Sequence, residues 1–187
     1  MRWPPVLILM DAAHEDIVRA HLAYQNESVK ASVRLREHLR ETDGPIADGS
    51  VESLIAINLW FQERLIIEAN RPGGLSTPSW WGSAPLVDSD SQEAGPFTSQ
   101  QLNIIDEVQA YLAEVMLETL PGAELAIYSG DPCDWRNGQT AVRYGLHRFE
   151  FPVSVAYSVA LDVVLYRRPV GAGVLATVVE SKTSEAA

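Results

Sequence analysis

The sequence predicts an α+β fold in which three main helices precede a small antiparallel sheet, with a possible additional helix near the C-terminus. Two observations predict it. Apolar residues recur at helical spacing through residues 1–122, whereas short segments rich in β-branched and aromatic residues alternate with turn residues after that point. A chain of 187 residues, 47% of them hydrophobic, can bury the core of one ordinary domain. We therefore expect one globular domain over residues 1–180, with a helical part (1–122), a sheet-rich part (123–180) and a flexible polar tail at 181–187.

The first predicted helix covers residues 11–41, which contain no Gly or Pro. Val18, Leu22, Val29 and Val33 recur near helical spacing within it. Breaker residues directly after it end the helix. We expect apolar stripes of this kind to pack the helices onto the sheet.

The second and third predicted helices cover residues 50–70 and 98–120. The second is apolar on most of its sides, so we expect it to be covered on most of them. The third has the clearest local signal in the chain, because Thr98 and Gln101 fit a capping box. Its apolar stripe comprises Leu102, Ile105, Val108, Leu112, Val115, Met116 and Leu120.

The sheet-rich part is expected to contain three short strands, at residues 123–129, 140–144 and 148–151. Turn residues separate these segments. Residues 153–166 suit a strand by composition and a buried helix by length, and the preceding Pro152 favours the helix. We interpret residues 174–179 as a last strand.

The charge of the chain is strongly and unevenly negative. It carries 14 Lys and Arg against 25 Asp and Glu, a net charge of −11, of which residues 42–122 supply −10. Five arginines between residues 136 and 168 interleave with aromatic residues, which is the composition of a surface that binds single-stranded nucleic acid. A chain this acidic repels phosphate backbones, however, so the sequence disfavours nucleic acid as a partner.

The single cysteine and the N-terminus indicate the compartment. One cysteine cannot form an internal disulfide, which fits a reducing environment. The apolar run at residues 6–10 is too short for a signal-peptide core, and no stretch approaches the ~20 apolar residues that a membrane helix needs. We therefore expect a soluble, cytoplasmic protein with no membrane partner.

The nearest approach to a catalytic set lies in the sheet-rich part. Cys133 becomes a nucleophile if His147 deprotonates it. Asp131, Asp134, His147 and Glu150 carry the ligand types of a divalent-ion site. Neither spacing matches a specific motif, so we assign no catalytic, cofactor-binding or metal-binding residue and predict no cofactor.

The third predicted helix also carries a polar face opposite its apolar stripe. At ~100° per residue, this face holds Glu107, Tyr111, Glu114 and Glu118. We expect these side chains to point to water unless a partner covers them. They are therefore candidate partner-binding residues, because complementary charge governs the choice of partner at protein surfaces.

A long connection at residues 71–97, rich in Gly, Ser, Pro and Asp, contains Trp80 and Trp81. Loops of this length are unusual inside a compact domain. Trp is enriched among the residues that dominate binding energy at interfaces, so both are candidate partner anchors. The alternative is that they fold the loop onto the core.

Four short segments occur in an ordered series that resembles a known group. They are Tyr111-Leu112-Ala113-Glu114, Leu120-Pro121-Gly122-Ala123-Glu124, Gly138-Gln139-Thr140-Ala141-Val142 and Phe151-Pro152-Val153. The series resembles a loose group of uncharacterised bacterial proteins, mostly actinobacterial, in which a Tyr-Leu-Gly-Glu helix leads into a small sheet. The resemblance covers about residues 98–165 and departs at Ala113, where the group usually has Gly. It implies a helix-plus-sheet domain and no catalytic residue.

These observations favour a non-enzymatic, acidic domain that binds another protein, in an immunity-like or regulatory role. An acidic surface can mask the site of a basic partner through complementary charge. Two alternatives stay open. One is a small hydrolase-like enzyme that uses His147 with Cys133 or nearby carboxylates, and the other is a structural subunit of a larger assembly. The oligomeric state is left open as well.

Overall fold

The computed structural model describes residues 9–67 and 97–186, which form five α-helices, a π-helical turn and a three-stranded sheet. The helices are α1 (His14–Glu41), α2 (Ser53–Ile67), α3 (Ser99–Thr119), α4 (Pro152–Ala160) and α5 (Val174–Ala186). The strands are β1 (Glu124–Ile127), β2 (Thr140–Tyr144) and β3 (Arg148–Glu150), and the π-helical turn at Leu161–Leu165 directly continues α4. The predicted α+β class, with three main helices before a small antiparallel sheet, is confirmed. Within the described ranges, no helix combines the length and apolarity needed to cross a membrane.

Helix α3 is the centre of the fold. It packs against α1, α2, α4 and α5, and β2 also contacts it. Most of its residues are buried, and they include the predicted apolar stripe from Leu102 to Met116. A helix enclosed in this way must find partners for any polar side chain that it carries, and this requirement determines how α1 binds.

The predicted capping box at the start of α3 is confirmed. The hydroxyl of Thr98 accepts the backbone N–H of Gln101 at 3.3 Å, and the Gln101 side chain accepts the backbone N–H of Thr98 at 2.9 Å. The amide nitrogen of Gln101 also donates to the backbone oxygen of Leu65 at 2.7 Å. One side chain therefore caps α3 and joins it to the last turn of α2.

The sheet has the strand order β1-β2-β3, and both pairs of strands are antiparallel. Ile127 pairs with Thr140 at one end of β2, and Arg148 pairs with Tyr144 at the other end. The β2–β3 turn contains two residues with positive φ, Gly145 (54°) and His147 (77°), which let the chain reverse within three residues. The three strands predicted at residues 123–129, 140–144 and 148–151 are thus present.

The predicted strand at residues 174–179 is wrong, because this segment is the first half of α5. Leu175, Ala176 and Val179 are buried at helical spacing. Asn58 on α2 holds the start of the helix by donating to the backbone oxygens of Gly171 and Ala172, both at 2.9 Å. Packing against α2 and α3 therefore overrides the strand propensity of the β-branched residues. The preference for a helix over residues 153–166 is correct, since α4 and the π-helical turn occupy them.

The expected flexible tail is also wrong up to residue 186, because α5 continues to Ala186. Its last turns are joined to the sheet. Lys182 lies 3.4 Å from Glu150, and the hydroxyl of Tyr144 donates to Glu185 at 3.3 Å. These contacts give a polar segment a fixed place that its composition does not indicate.

We predict that Thr98→Ala lowers the free energy of unfolding by about 1 kcal/mol, the usual cost of a lost N-cap, because the N–H of Gln101 loses its acceptor. Urea denaturation of the full chain measures the change. The control is Ser99→Ala, at the neighbouring exposed position, which we expect to change the free energy of unfolding by less than about 0.5 kcal/mol. Equal losses in both variants would contradict the role of the cap.

Candidate functional site

The acidic face predicted for α3 is not free surface, because α1 covers most of it. Glu107 keeps 7% of its exposure and Tyr111 none, while Glu114 is half-buried. Glu118 alone of these four residues is exposed, as predicted. The expectation that this face points to water is therefore wrong for Glu107, Tyr111 and Glu114. The covering partner is another helix of the same chain.

The middle of the contact between α1 and α3 is a buried ion pair. Arg34 of α1 lies 2.9 Å from Asp106 of α3, whose side chain has no solvent exposure. Gln109 donates to the same carboxylate at 3.3 Å and accepts the hydroxyl of Tyr24 at 2.7 Å. Burial, followed by the negative charge of Asp106, raises the pKa of Tyr24, so this hydroxyl stays protonated and remains a donor.

A second charged contact lies two turns further along α3. Both terminal nitrogens of Arg36 contact the carboxylate of Glu114, one of them at 3.1 Å, and Ser32 donates to the same carboxylate. Burial by itself would raise the pKa of Glu114. The hydrogen bonds from Arg36 and Ser32 together outweigh it and hold the pKa below its ordinary value. Glu114 is therefore ionised in the folded chain at neutral pH.

The third contact is made by His38. Its Nδ1 lies 3.1 Å from Glu107, and its ring meets the ring of Trp60 edge-on at 5.0 Å. The indole N–H of Trp60 donates to the hydroxyl of Thr42 at 3.0 Å. The end of α1 is thereby joined to both α2 and α3. We refer to the contacts of Arg34, Arg36 and His38 with Asp106, Glu114 and Glu107 as the polar seam.

Tyr111 closes the seam on the side of α2. Its hydroxyl accepts the backbone N–H of Gly49 at 2.8 Å and lies 2.7 Å from the hydroxyl of Ser53. Since Ser53 already donates its proton to the backbone oxygen of Ser50, Tyr111 is the donor in the contact with Ser53. Arg36 stands over the Tyr111 ring at 5.4 Å. Tyr111 is thus fully buried and engaged within the chain.

Beside the polar seam, α1 packs inward through apolar residues of its own, and this orientation leaves a second apolar row facing outward. The residues of α1 that are buried are Tyr24, Ser28, Ala31, Ser32, Leu35 and Leu39. Leu22, Val29 and Val33, which the spacing placed on a core-facing stripe, are instead 52%, 67% and 50% exposed. These three side chains form a row along the outer side of α1, and this row is the candidate site.

This site, the outer α1 face, also contains charged and polar residues. At ~100° per residue, its members fall within a sector of about 80°. They are Glu15, Arg19, Leu22, Asn26, Val29, Val33, Glu37 and Arg40, and all eight are exposed. A groove of about 360 Å³ adjoins its C-terminal end, lined by Arg36, Leu39, Arg40 and residues 44–47. Ile46 in this groove is 81% exposed.

The residues of the hydrolase-like alternative are not brought together. Cys133 lies in the loop that connects β1 to β2, and His147 lies in the turn that connects β2 to β3. These connections are at opposite ends of β2, about 14 Å apart for a five-residue strand. Both side chains are exposed. Among the described residues, no three His, Cys, Asp or Glu side chains are grouped as a metal site requires.

The arginines that resembled a nucleic-acid surface are mostly engaged within the chain. Arg136 lies 2.6 Å from Asp134 and stands over the ring of Phe151 at 5.0 Å. This contact, with its hydrogen bonds, holds the pKa of Asp134 far below its ordinary value. The other ion pairs join Arg143 to Glu124, Arg148 to Glu185 and Arg168 to Asp162. Trp80 and Trp81, the predicted anchors, lie outside the described residues.

Sequence reasoning missed the seam residues Arg34, Arg36, His38 and Asp106, and Gln109 beside them. One signal was available. Asp106 and Gln109 follow Leu102 by four and seven residues, so they lie on the same face as the predicted apolar stripe. A carboxylate within an apolar stripe requires a cation beside it. Which cation supplies it depends on the packing of α1, which the sequence pattern does not indicate.

We predict that Arg34→Ala lowers the free energy of unfolding by about 2–3 kcal/mol, because it leaves Asp106 buried without its cation. Chemical denaturation at pH 7 measures the loss. The matched control is Arg40→Ala on the exposed side of the same helix, which we expect to cost less than about 0.5 kcal/mol. In the double variant with Asp106→Asn, the two losses should be less than additive. Additive losses would show that the two residues are not coupled.

The lowered pKa of Glu114 predicts a pH dependence. A carboxyl group with a lowered pKa stabilises the fold above the pH at which it titrates in the unfolded chain. That contribution disappears as the pH falls through the lower folded-state pKa. The free energy of unfolding of the wild type should therefore fall more steeply than that of Glu114→Gln between about pH 5 and pH 3. Parallel pH profiles of the two proteins would contradict the seam contact.

Comparison with known proteins adds no relative to this description. No protein-family model, no curated protein and no solved structure matches the chain. The resemblance of residues 98–165 to the actinobacterial group therefore stays a prediction. The candidate site has to be interpreted from its own geometry.

Proposed function

We propose that the chain is a protein-interaction module whose docking surface is the outer α1 face. The observation that carries the proposal is the row of Leu22, Val29 and Val33, each at least half exposed on one line of a helix. Isolated exposed apolar residues are common on protein surfaces, whereas an aligned row is typical of a surface that another protein covers.

The polar seam supports this proposal because it fixes the direction of the face. Arg34, Arg36 and His38 bind carboxylates of α3, so α1 cannot roll its apolar side inward without leaving those carboxylates buried and unpaired. A surface held in this way loses little conformational freedom on binding, which favours association.

The magnitudes indicate that apolar contact alone does not suffice. Covering three half-exposed side chains of this size contributes roughly 3 kcal/mol. Association costs an estimated 4–15 kcal/mol in lost translational and rotational freedom. The charged residues beside the row, Glu15, Arg19, Glu37 and Arg40, must therefore contribute to both affinity and specificity.

The overall acidic composition favours a basic partner, but the charge of the outer α1 face does not. Residues 14–41 carry five acidic and five basic side chains, so α1 is neutral within a chain of net charge −11. Three of the acids that made the middle of the chain so negative are engaged in the polar seam. The partner is thus selected by the pattern of charges along α1 more than by an overall basic charge. A regulatory or immunity-like role remains within this proposal.

A second exposed row on α2 favours the structural-subunit alternative as the second candidate. Ile55, Leu59 and Ile66 are 42%, 53% and 65% exposed, at helical spacing on one side of the helix. A chain with two separate apolar faces can contact two neighbours at once. A photo-crosslinker at Leu59 tests this face separately from that of α1.

We predict that p-benzoylphenylalanine at position 29 gives a specific crosslinked adduct in cells of the native host. Val33→Glu on the same chain should abolish the adduct, because it places a charge within the apolar row. The control chain carries Leu146→Glu, a substitution at an equally apolar and 92% exposed residue outside the face, and should keep the adduct. An adduct that Val33→Glu leaves unchanged, or the absence of any adduct, would overturn the proposal.

A further inference from the structure

The outer α1 face has a property that a general docking surface does not require. Reading from the N-terminus, its first four residues are Glu15, Arg19, Leu22 and Asn26. Reading back from the C-terminus, its residues are Arg40, Glu37, Val33 and Val29. Compared position by position, the first two pairs are oppositely charged, Glu15 with Arg40 and Arg19 with Glu37. The third pair is apolar, and the fourth joins the polar Asn26 to the apolar Val29.

We propose that the partner of the outer α1 face is a second copy of this chain, bound by antiparallel pairing of the two α1 helices. The proposal rests on the proposed function, because it names the occupant of the same surface. Two-fold symmetry requires a self-complementary patch in which residue i meets residue j and residue j meets residue i. The charge pattern of α1 satisfies that requirement.

The register of the pairing follows from the positions. The midpoint along the chain is nearly the same for every pair. It falls between residues 27 and 28 for Glu15–Arg40, Leu22–Val33 and Asn26–Val29, and on residue 28 for Arg19–Glu37. One placement of the two-fold axis, at the middle of α1, therefore aligns all four pairs. The face extends about 38 Å along the helix at 1.5 Å per residue, which gives each copy seven turns of contact.

The spacing of the face also suits a pair of helices. Successive members of the row follow one another at three or four residues, as do the positions in the seam of a two-stranded helical pair. Asn26 lies within the apolar part of the row.

Parallel pairing is disfavoured by the same charges. In a parallel, in-register dimer, each charged residue of the face would lie beside its own copy, so that like charges would meet at both ends of the face. The antiparallel dimer replaces each of these repulsions with an attraction. Because α1 is neutral overall, it is also the part of this −11 chain where a second copy meets the least repulsion.

Charge reversal tests the proposal, with sedimentation velocity as the measurement over about 10 μM to 1 mM protein, the range of weak to moderate association. The wild type should show a reversible monomer–dimer equilibrium. Glu15→Arg places two arginines together at both ends of the dimer, and Arg40→Glu places two glutamates together there. Each variant alone should raise the dissociation constant of the dimer at least tenfold.

The decisive arm is the equimolar mixture of the two variants. A Glu15→Arg chain presents Arg at both positions, and an Arg40→Glu chain presents Glu at both, so the mixed dimer regains an opposite-charge pair at each end. We expect the mixture to recover a dissociation constant within about threefold of the wild type. Glu180→Arg and Arg167→Glu, exposed residues outside the face, repeat the same changes of net charge and should leave the dimer unchanged. Circular dichroism checks that every variant is folded.

Disulfide trapping distinguishes the two orientations. The exposed Cys133 is first replaced by Ser. Chains that carry Leu22→Cys should then crosslink rapidly with chains that carry Val33→Cys, whereas two Leu22→Cys chains, or two Val33→Cys chains, should crosslink slowly. A parallel dimer would give the reverse result.

The proposal is overturned if the wild type stays monomeric up to about 1 mM, if the single reversals dimerise as well as the wild type, or if the mixture does not recover. The mass of the photo-crosslinked adduct at position 29 shows whether the bound protein is a second copy of this chain or a different protein. It therefore distinguishes a failure of the dimer proposal from a failure of the proposed docking surface. An adduct with a different protein from a monomeric chain would leave the docking surface valid and remove the second copy as its occupant.

Discussion

The fold depends on one constraint, which is that the carboxylates of an enclosed helix must find partners on a neighbouring helix. Helix α3 is buried over most of its surface, yet it carries the buried Asp106 and Glu107 and the half-buried Glu114. Leaving a charge of this kind unpaired in a low-dielectric interior costs several kcal/mol. Helix α1 supplies the guanidinium groups of Arg34 and Arg36 and the ring of His38 as the partners of these carboxylates. The position of α1, and with it the direction of all its other side chains, follows from this match.

The sequence allowed the fold class, the three leading helices, the capping box and the three strands of the sheet to be predicted, because these depend on local patterns. Two helix faces were assigned incorrectly, and the two errors have one cause. Val29 and Val33 were placed toward the core and Glu107 and Glu114 toward water, since apolar periodicity is the usual guide to burial. In the structure the face of α1 that carries Leu35, Leu39 and the seam residues packs on α3, so both assignments reverse together. Only the packing of one helix on another contains that information.

Residues 174–186 illustrate a second limit of sequence patterns. The run of β-branched residues after Val174 has strand character, and the polar residues after Ser181 have the composition of a tail. Both are helical because Asn58 holds the backbone before α5 and because Lys182 and Glu185 reach the sheet. Each of these contacts joins residues far apart in the chain. The separation of Cys133 from His147 is likewise a matter of topology, because β2 lies between them.

The same arrangement connects structure to the proposed function. A helix held by charged contacts on its inner side is free to present apolar residues on its outer side, and its neutrality offers an approach to an otherwise acidic molecule. The most direct test of this account asks which side of α1 is in the core. Methyl NMR of a dilute sample with a soluble paramagnetic agent measures the solvent accessibility of each methyl group. The account predicts strong relaxation for Leu22, Val29 and Val33 and protection for Leu35 and Leu39. The reverse pattern would show that α1 packs through its apolar row, and would contradict both the seam and the docking face.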